Sequence, residues 1–331
     1  MGFERVCRRL LEYGILAPSV YNTQPWKFLV DGQKGIIEVR ADFSRTRSRE
    51  IDEKQRDLYL ALGACVESMI LAAPALGYEV ELSMFTNERV VASLKLKPMT
   101  ETLPESLFTS LLIRQTHAGF YKENSVQELH LERLRNVPAF SARERLHFLN
   151  SEKDREKLIS LLHDLSHEEA GNSTLVEEAV HWIKPQPDAL EGLLLRCLGL
   201  PVSIKMRFAF LRHFSYAREI KEVARQALLK QGHGAEAPAY LLMTTQMPER
   251  ESYFNAGRWY IRLALTLSEI ELGAQVLHLP TTLKRAHPSL LKLFKASHAE
   301  EPVLLLRFGQ PADKKWPKTY RQPLFEKLID A

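Results

Sequence analysis

Three cysteines in 331 residues, Cys7, Cys65 and Cys197, are too few and too far apart for a disulfide framework or a CxxC-type metal site. They read as buried, reduced thiols. No apolar run approaches the roughly 18 residues that a membrane span needs. The first nine residues are charged and lack the apolar core of a signal peptide, so a cytoplasmic chain is expected. G-x-G-x-x-G, the P-loop and G-x-S-x-G are all absent; a nicotinamide Rossmann site and acyl transfer therefore lack support. His163 and His167 stand four apart on a helical stretch, a spacing that can hold a metal. Their neighbours Asp164, Glu168 and Glu169 fit a solvated helix face better, and no metal is expected.

What is present is an ordinary globular composition, 45% hydrophobic and 26% charged, able to bury a real core. The length suits two domains or one large one. The net charge of +4 suits a small anionic ligand and is too diffuse for nucleic acid.

Hydrophobic periodicity orders the chain. Phe3 to about Leu16 reads as an amphipathic helix, and Lys27–Val30 with Gly35–Ala41 as a hairpin around Asp31-Gly32-Gln33. Ser44–Glu50, with Arg45, Arg47 and Arg49, reads as a solvated loop rather than a phosphate site. Asp57–Leu76 carries a broad apolar stripe and ends at a C′ glycine, Gly77. Alternating strands follow at Tyr78–Phe85 and Val90–Leu96, then a polar link that places a boundary near residue 100. In the second half, helices fit Glu105–Ile113, Gln127–Arg135, Asp154–His167, Thr174–Ile183 and Tyr253–Leu272. Leu146–Leu149, Pro238–Thr245, Val276–Leu279 and Pro302–Phe308 read as extended, Gln231-Gly232-His233-Gly234 as a loop, and Trp316–Leu324 as an extended basic tail. Lys184–Phe214 reads as a lid or packed insertion rather than a membrane-surface segment, because its apolar and basic residues do not segregate cleanly. Gly63 through Leu76-Gly77-x-x-Val80 echoes Gly257 through Leu272-Gly273-x-x-Val276. The glycine spacings, 14 and 16, differ by more than half a helical turn.

Two stretches carry chemistry. In Ala17-Pro18-Ser19-Val20-Tyr21-Asn22-Thr23-Gln24-Pro25-Trp26-Lys27-Phe28, two prolines block any regular element, while hydroxyls and amides favour side-chain bonds to backbone. A rigid polar loop results, fit to meet a planar, hydrogen-bonding ligand or to serve as a plain connection. In Arg114-x-Thr116, a planar fork of donors and a nearby hydroxyl suit a phosphate.

APSVYNTQPWKF resembles the A-P-S-x-x-N-x-Q-P-W-x-F signature of the nitroreductase family of FMN-dependent oxidoreductases, matching at Pro18, Ser19, Asn22, Gln24, Pro25 and Trp26. Arg114-x-Thr116 resembles that family's phosphate-holding R-x-S/T-x-R. Its second Arg is Ala118 here, and Arg321 in Lys318-x-x-Arg321 is the best substitute. In ordinary members the Arg motif precedes the loop and two subunits share each flavin. Here the loop comes first and the Arg motif follows a hundred residues later. The arrangement resembles the long, fused-pair Acg-type branch.

The resemblance implies an α+β, nitroreductase-like fold of two pseudo-symmetric halves, helices around antiparallel-rich sheets. The N-terminal half would span 1–100 and the C-terminal half 101–331, with a lid-like insertion near 184–214. It implies FMN between the halves, met by Pro18, Ser19, Asn22 and Gln24, with its phosphate on Arg114, Thr116 and Arg321 and its reactive edge near Gln275 and Leu277. NAD(P)H would be the electron donor and a nitro, quinone or other planar small molecule the acceptor. No side chain need be an acid or base, because the hydride chemistry is the cofactor's. The alternatives are an FMN-holding or sensing protein with an occluded site, and a flavin-free scaffold. A monomer is expected, without nucleic acid or membrane partners.

Overall fold

The computed structural model describes residues 2–100, 106–184, 186–198, 202–213, 217–233, 235–313 and 317–329. The chain begins with α1 (Phe3–Gly14), β1 (Trp26–Asp31), β2 (Ile36–Ala41), α2 (Arg56–Ala72), β3 (Tyr78–Met84) and β4 (Val90–Pro98). Then come α3 (Phe108–Ile113), α4 (Glu128–Arg135) and β5 (Glu144–Leu149). Helices α5 (Glu152–Gly171) and α6 (Ser173–Trp182), the short parallel pair β6 (Ile183–Lys184) and β7 (Leu193–Leu194), and helices α7 (Val202–His213) and α8 (Ala217–His233) follow. The chain continues with β8 (Ala239–Thr245), α9 (Arg250–Glu269), β9 (Gly273–Leu277), α10 (Leu279–Thr282), α11 (His287–Leu293) and β10 (Glu301–Gly309).

Two four-stranded antiparallel sheets have the same plan. One runs β1-β2-β4-β3 and the other β5-β8-β10-β9, so each is two strands, a long helix and two more strands in the same spatial order. Where the first sheet has a tight turn between β1 and β2, the second has α5 to α8. The first sheet buries alternate residues, with β3 exposing every second one, as expected for a sheet wet on one face. The second is covered on both faces: β8 is buried at all seven positions.

The central helices α2 and α9 lie against each other. A Cβ on Gly63 would come 1.9 Å from the Phe254 carbonyl oxygen, and one on Gly257 would come 2.1 Å from that of Leu60. Both glycines are therefore required by close helix approach. The crossing ties two hydrophobic cores together. Phe254, Ile261 and Leu265 of α9 belong to the first core, and Leu60 of α2 to the second. Gly257→Ala should cost about 3 kcal/mol or more, the upper range for overpacking. That lowers the thermal midpoint of a 331-residue chain by roughly 4 °C or more, whereas Gly171→Ala, with nothing within 4 Å, serves as the neutral control. Equal midpoints for the two variants would show that the helices separate without cost.

Four readings of the sequence need correction. The α8 helix went unread: Ile220, Val223, Ala224 and Leu228 form its buried stripe, and Gln231-Gly232-His233 is its end, not a loop. Leu279 opens a helical turn rather than ending a strand. The α3 helix starts at Phe108, and 101–105 lie outside the described residues, as does Trp316 of the tail. Arg47 is not solvated but 4% exposed.

The C-terminal tail returns to the first sheet. Phe28 donates its N–H to the Lys327 carbonyl at 2.8 Å, and Ile329 donates to that of Phe28 at 2.9 Å. A parallel bridge joins Phe28 to Leu328, covering the edge of β1.

Candidate functional site

Between α1 and β1 the backbone is strained. Tyr21, Asn22 and Gln24 have φ of 49°, 54° and 53°, left-handed values that cost non-glycine residues of order 1–3 kcal/mol each when the surroundings enforce them. The enforcing bonds come partly from the loop and mostly from afar. Ser19 Oγ accepts from the Gln24 N–H at 3.0 Å. Gln24 Nε2 donates to the Leu190 carbonyl at 2.8 Å, and its Oε1 accepts from the Gln322 N–H at 2.8 Å. Asn22 Nδ2 donates to the Tyr320 carbonyl at 3.0 Å, and the Lys327 ammonium donates to the Gln24 carbonyl at 2.8 Å. Gln24 is thus a bracket between loop, insertion and tail, with both ends of its amide in use. Asn22 Oδ1 is different: it is buried and has no hydrogen-bond partner among the described residues. Pro18 and Ser19 are half-buried beside it.

Arg114 and Arg321, 207 positions apart in sequence, meet at the end of α1. Arg321 donates through Nε to the Ile15 carbonyl at 2.9 Å and through Nη2 to those of Leu16 and Ala17 at 3.2 Å each. Arg114 Nη2 reaches the same Leu16 carbonyl at 3.4 Å. The C-terminal carbonyls of a helix attract cations, but they do not neutralise two. Burial, with Arg114 adding to it, pushes Arg321 down to about 9, and burial lowers Arg114 as well. An arginine keeps its proton in practice, so burial leaves two like charges side by side there. Among the described residues neither guanidinium has a carboxylate partner. Gln115 Oε1, next in the chain, is a further buried acceptor without a partner among the described residues.

Thr116 is exposed, and it bridges to Ala274 at the free edge of β9 while His117 donates its N–H to the Ala274 carbonyl at 3.0 Å. The Arg114 segment is thereby fastened beside Gln275 and Leu277. Gln275 does not present its side chain there: its Oε1 accepts from Arg307 Nε at 2.8 Å. Leu277 pairs with Leu305 and packs on the core beneath the second sheet. The Gln275 side-chain carbonyl oxygen and the Leu277 side chain are thus turned to the protein rather than to a ligand.

His117 is 2% exposed. Burial, reinforced by Arg307 and opposed by Asp313, holds its pKa down to about 4 against an ordinary 6.5. Between those values the unfolded chain binds a proton that the folded chain does not. The stabilisation is therefore complete above 6.5 and lost as pH falls toward 4, on the order of 3 kcal/mol. His117→Gln should flatten the decline of the thermal midpoint between pH 7 and pH 5. Identical slopes for the two proteins would remove His117 from the account.

Sequence reasoning missed a buried ionic cluster behind Tyr21. Arg47 donates through Nε to Glu178 at 2.9 Å and through Nη1 to Asp57 at 3.3 Å and the Thr282 hydroxyl at 3.1 Å. Its guanidinium lies 5.6 Å from the Tyr21 ring centre. Burial opposes ionisation of Asp57, yet Arg56 and His278 outweigh it and hold that carboxyl well below the usual range. Burial raises Glu169 to about 7, with Arg47 opposing and Glu178 reinforcing. The partners of Arg47 lie 10, 131 and 235 positions away, and no local pattern could have marked it.

The insertion joins the same region. Glu191 pairs with Arg45 and accepts from Gln322 Nε2 at 3.0 Å. Arg196 donates to the Lys318 carbonyl at 3.2 Å and stacks over Tyr320. Two surface clefts, about 450 Å³ beside Lys122 and His130 and about 300 Å³ beside Glu4 and Arg8, share no residue with this cluster.

No protein-family model matches the chain. It is 28% identical over 82 residues to a candidate NAD(P)H nitroreductase of Mycobacterium tuberculosis, an alignment that spans 25% of this chain and 23% of that protein. Among solved structures, a candidate nitroreductase from Anabaena variabilis is similar at a TM-score of 0.50 with 12% identity, over 83% of this chain and 69% of that one. The FMN and NADPH-dependent nitroreductase NfnB from Sphigopyxis sp. strain HMH is 17% identical over 69% of this chain and 99% of its own, at a TM-score of 0.40. The chain has the nitroreductase-like α+β fold.

Proposed function

We propose that the chain is an FMN-binding oxidoreductase whose single flavin site is assembled from its two halves. The observation that carries this reading is the pair Arg114 and Arg321, two half-buried guanidiniums brought together without a carboxylate. Such a pair suits a phosphate, which accepts planar, charge-assisted hydrogen bonds. The other residues fit the rest of the cofactor. Asn22 Oδ1, a buried acceptor without a partner among the described residues, would take a ring N–H, and the exposed Thr116 hydroxyl would join the phosphate. The matching strand order of the two sheets supports a fused pair in one chain and hence a monomer.

Bound FMN would supply the hydride chemistry, taken from NADH or NADPH and passed to a planar acceptor such as a nitro or quinone compound. The chain's contribution is to hold. Ser19, Gln24 and Lys327 fix the strained loop, Asn22 orients the ring, and Arg114 and Arg321 neutralise the phosphate. A second reading, an FMN-holding protein with little reductase activity, is favoured by the closure of Leu190 and Glu191 on Gln24, Arg45 and Gln322.

The test is uptake of added FMN by the purified chain, followed by anaerobic NADH and NADPH. Tight uptake with bleaching is expected; uptake without bleaching supports the second reading, and a chain that takes up no FMN excludes both.

A further inference from the structure

Strand β5 opens on a buried carboxylate that no donor or cation among the described residues satisfies. Glu144 stands opposite Thr245 of β8 and shares a face of the strand with Leu146 and Phe148, which pack on the core that α9 lines. It is 5% exposed, and both of its carboxylate oxygens are buried without a hydrogen-bond partner among the described residues. Burial raises its pKa, while the Ser141 hydroxyl, its own backbone N–H and the Ser252 hydroxyl draw it back. Arg143, next in the chain, turns its guanidinium outward to Glu249 at 3.0 Å. A buried carboxylate is costly unless something positive or hydrogen-bonding meets it.

A second unsatisfied acceptor lies on α9. Ser252 and Asn255, three apart, project from one side of that helix, and Trp259 on the same side donates Nε1 to the Val137 carbonyl at 2.9 Å. That side of α9 therefore faces the 137–143 loop, which leads into Glu144. Asn255 is 7% exposed, and its Oδ1 is buried with no partner among the described residues. The donor set is oxygen throughout and carries one negative charge. Softer metals take His and Cys, and among the described residues no group of three or more His, Cys, Asp or Glu could hold one. Calcium affinity rises with the number of charged ligands, and one carboxylate is few for a divalent ion. A single charge among neutral oxygens suits a hard, monovalent cation instead. We infer that Glu144, Asn255, Ser252 and Ser141 bind an alkali-metal cation, potassium or sodium, which ties β5 to α9. Ala139, Ala142 and Arg143 are exposed, so the site lies one loop's thickness from solvent. The sequence expectation of no metal weighed His and Cys spacing, which an oxygen set does not use. This inference is independent of the flavin site.

The experiment is thermal unfolding of the full chain at pH 8 in potassium, sodium or choline chloride at equal ionic strength. A midpoint about 2 °C or more higher in the potassium or the sodium salt than in choline is expected, and the higher of the two names the ion. Glu144→Gln keeps the shape, removes the charge and brings its own donor to the neighbouring oxygens, so it should fold and erase the difference between salts. Ser252→Ala should shrink that difference, and it decides the matter if the Gln variant does not fold. Equal midpoints for the parent in all three salts would overturn the proposal, as would a salt difference that both variants leave intact. So would stabilisation by calcium or magnesium chloride with none from the alkali salts, because it assigns the oxygens to a divalent ion.

Discussion

Replacing Arg114 and Arg321 together with alanine should leave a folded chain that no longer retains FMN. Arg114 would give a phosphate charge-assisted hydrogen bonds worth about 1.5–3 kcal/mol, while Arg321, whose donors already reach Ile15, Leu16, Ala17, Thr319 and Tyr320, would add its charge, so losing both weakens binding by roughly 10- to 10²-fold or more. Equilibrium dialysis or fluorescence of released flavin measures it. Arg114→Lys sharpens the result, since it keeps the charge and removes the planar fork; an intermediate loss is expected. The competing explanation is that both residues only cap α1. Arg321 spans the Ile15, Leu16 and Ala17 carbonyls, so its removal also frays that helix end and lowers the midpoint by about the value of a cap, near 1 kcal/mol. A double variant that loses stability while holding FMN as tightly as the parent would show that capping is the whole role.

Arg114 beside a hydroxyl is recognisable residue by residue, whereas Arg321 was set beside it only by the resemblance to the nitroreductase signature; the structure brings the two to the same Leu16 carbonyl. Other long-range pairings were not legible. Gln24 looked like a ligand residue, yet its amide is committed to Leu190 and Gln322, 166 and 298 positions away. Arg47 looked like one of three solvated arginines, but the buried one is selected by Glu178 and Asp57, which no local pattern announces. The helices α2 and α9 were readable because each carries a wide apolar stripe, and their kinship was half readable. The glycine spacings disagreed because α9 runs on to Glu269 beyond Gly257, three residues farther than α2 runs to Ala72 beyond Gly63. The physical equivalence sits at Gly63 and Gly257, where the backbones touch, and in a strand order that sequence spacing does not encode. The α8 helix was missed because its buried stripe is narrow and its charged residues resemble those of a solvated surface.

Truncation after residue 316 should be more damaging than any single substitution away from the core. The lost segment supplies the Tyr320 carbonyl to Asn22, the Gln322 N–H to Gln24, the Lys327 ammonium to the Gln24 carbonyl and the ladder along β1. Those are the bonds that oppose the left-handed strain at Tyr21, Asn22 and Gln24. With three strained residues at about 1–3 kcal/mol each and an uncovered edge strand, several kcal/mol of a total near 5–15 kcal/mol are at stake. The expected outcome is a large fall in the unfolding midpoint, rapid proteolytic cleavage between Ala17 and Trp26, and no FMN retention. Flavin loss alone could be ascribed to Arg321, so the cleavage site is the decisive readout. Arg321→Ala by itself should leave the loop protected, because Tyr320, Gln322 and Lys327 remain in place. A truncated chain whose loop resists protease as well as the parent's would mean that the strain is held by Ser19 and the insertion, and that the tail only brings the cation.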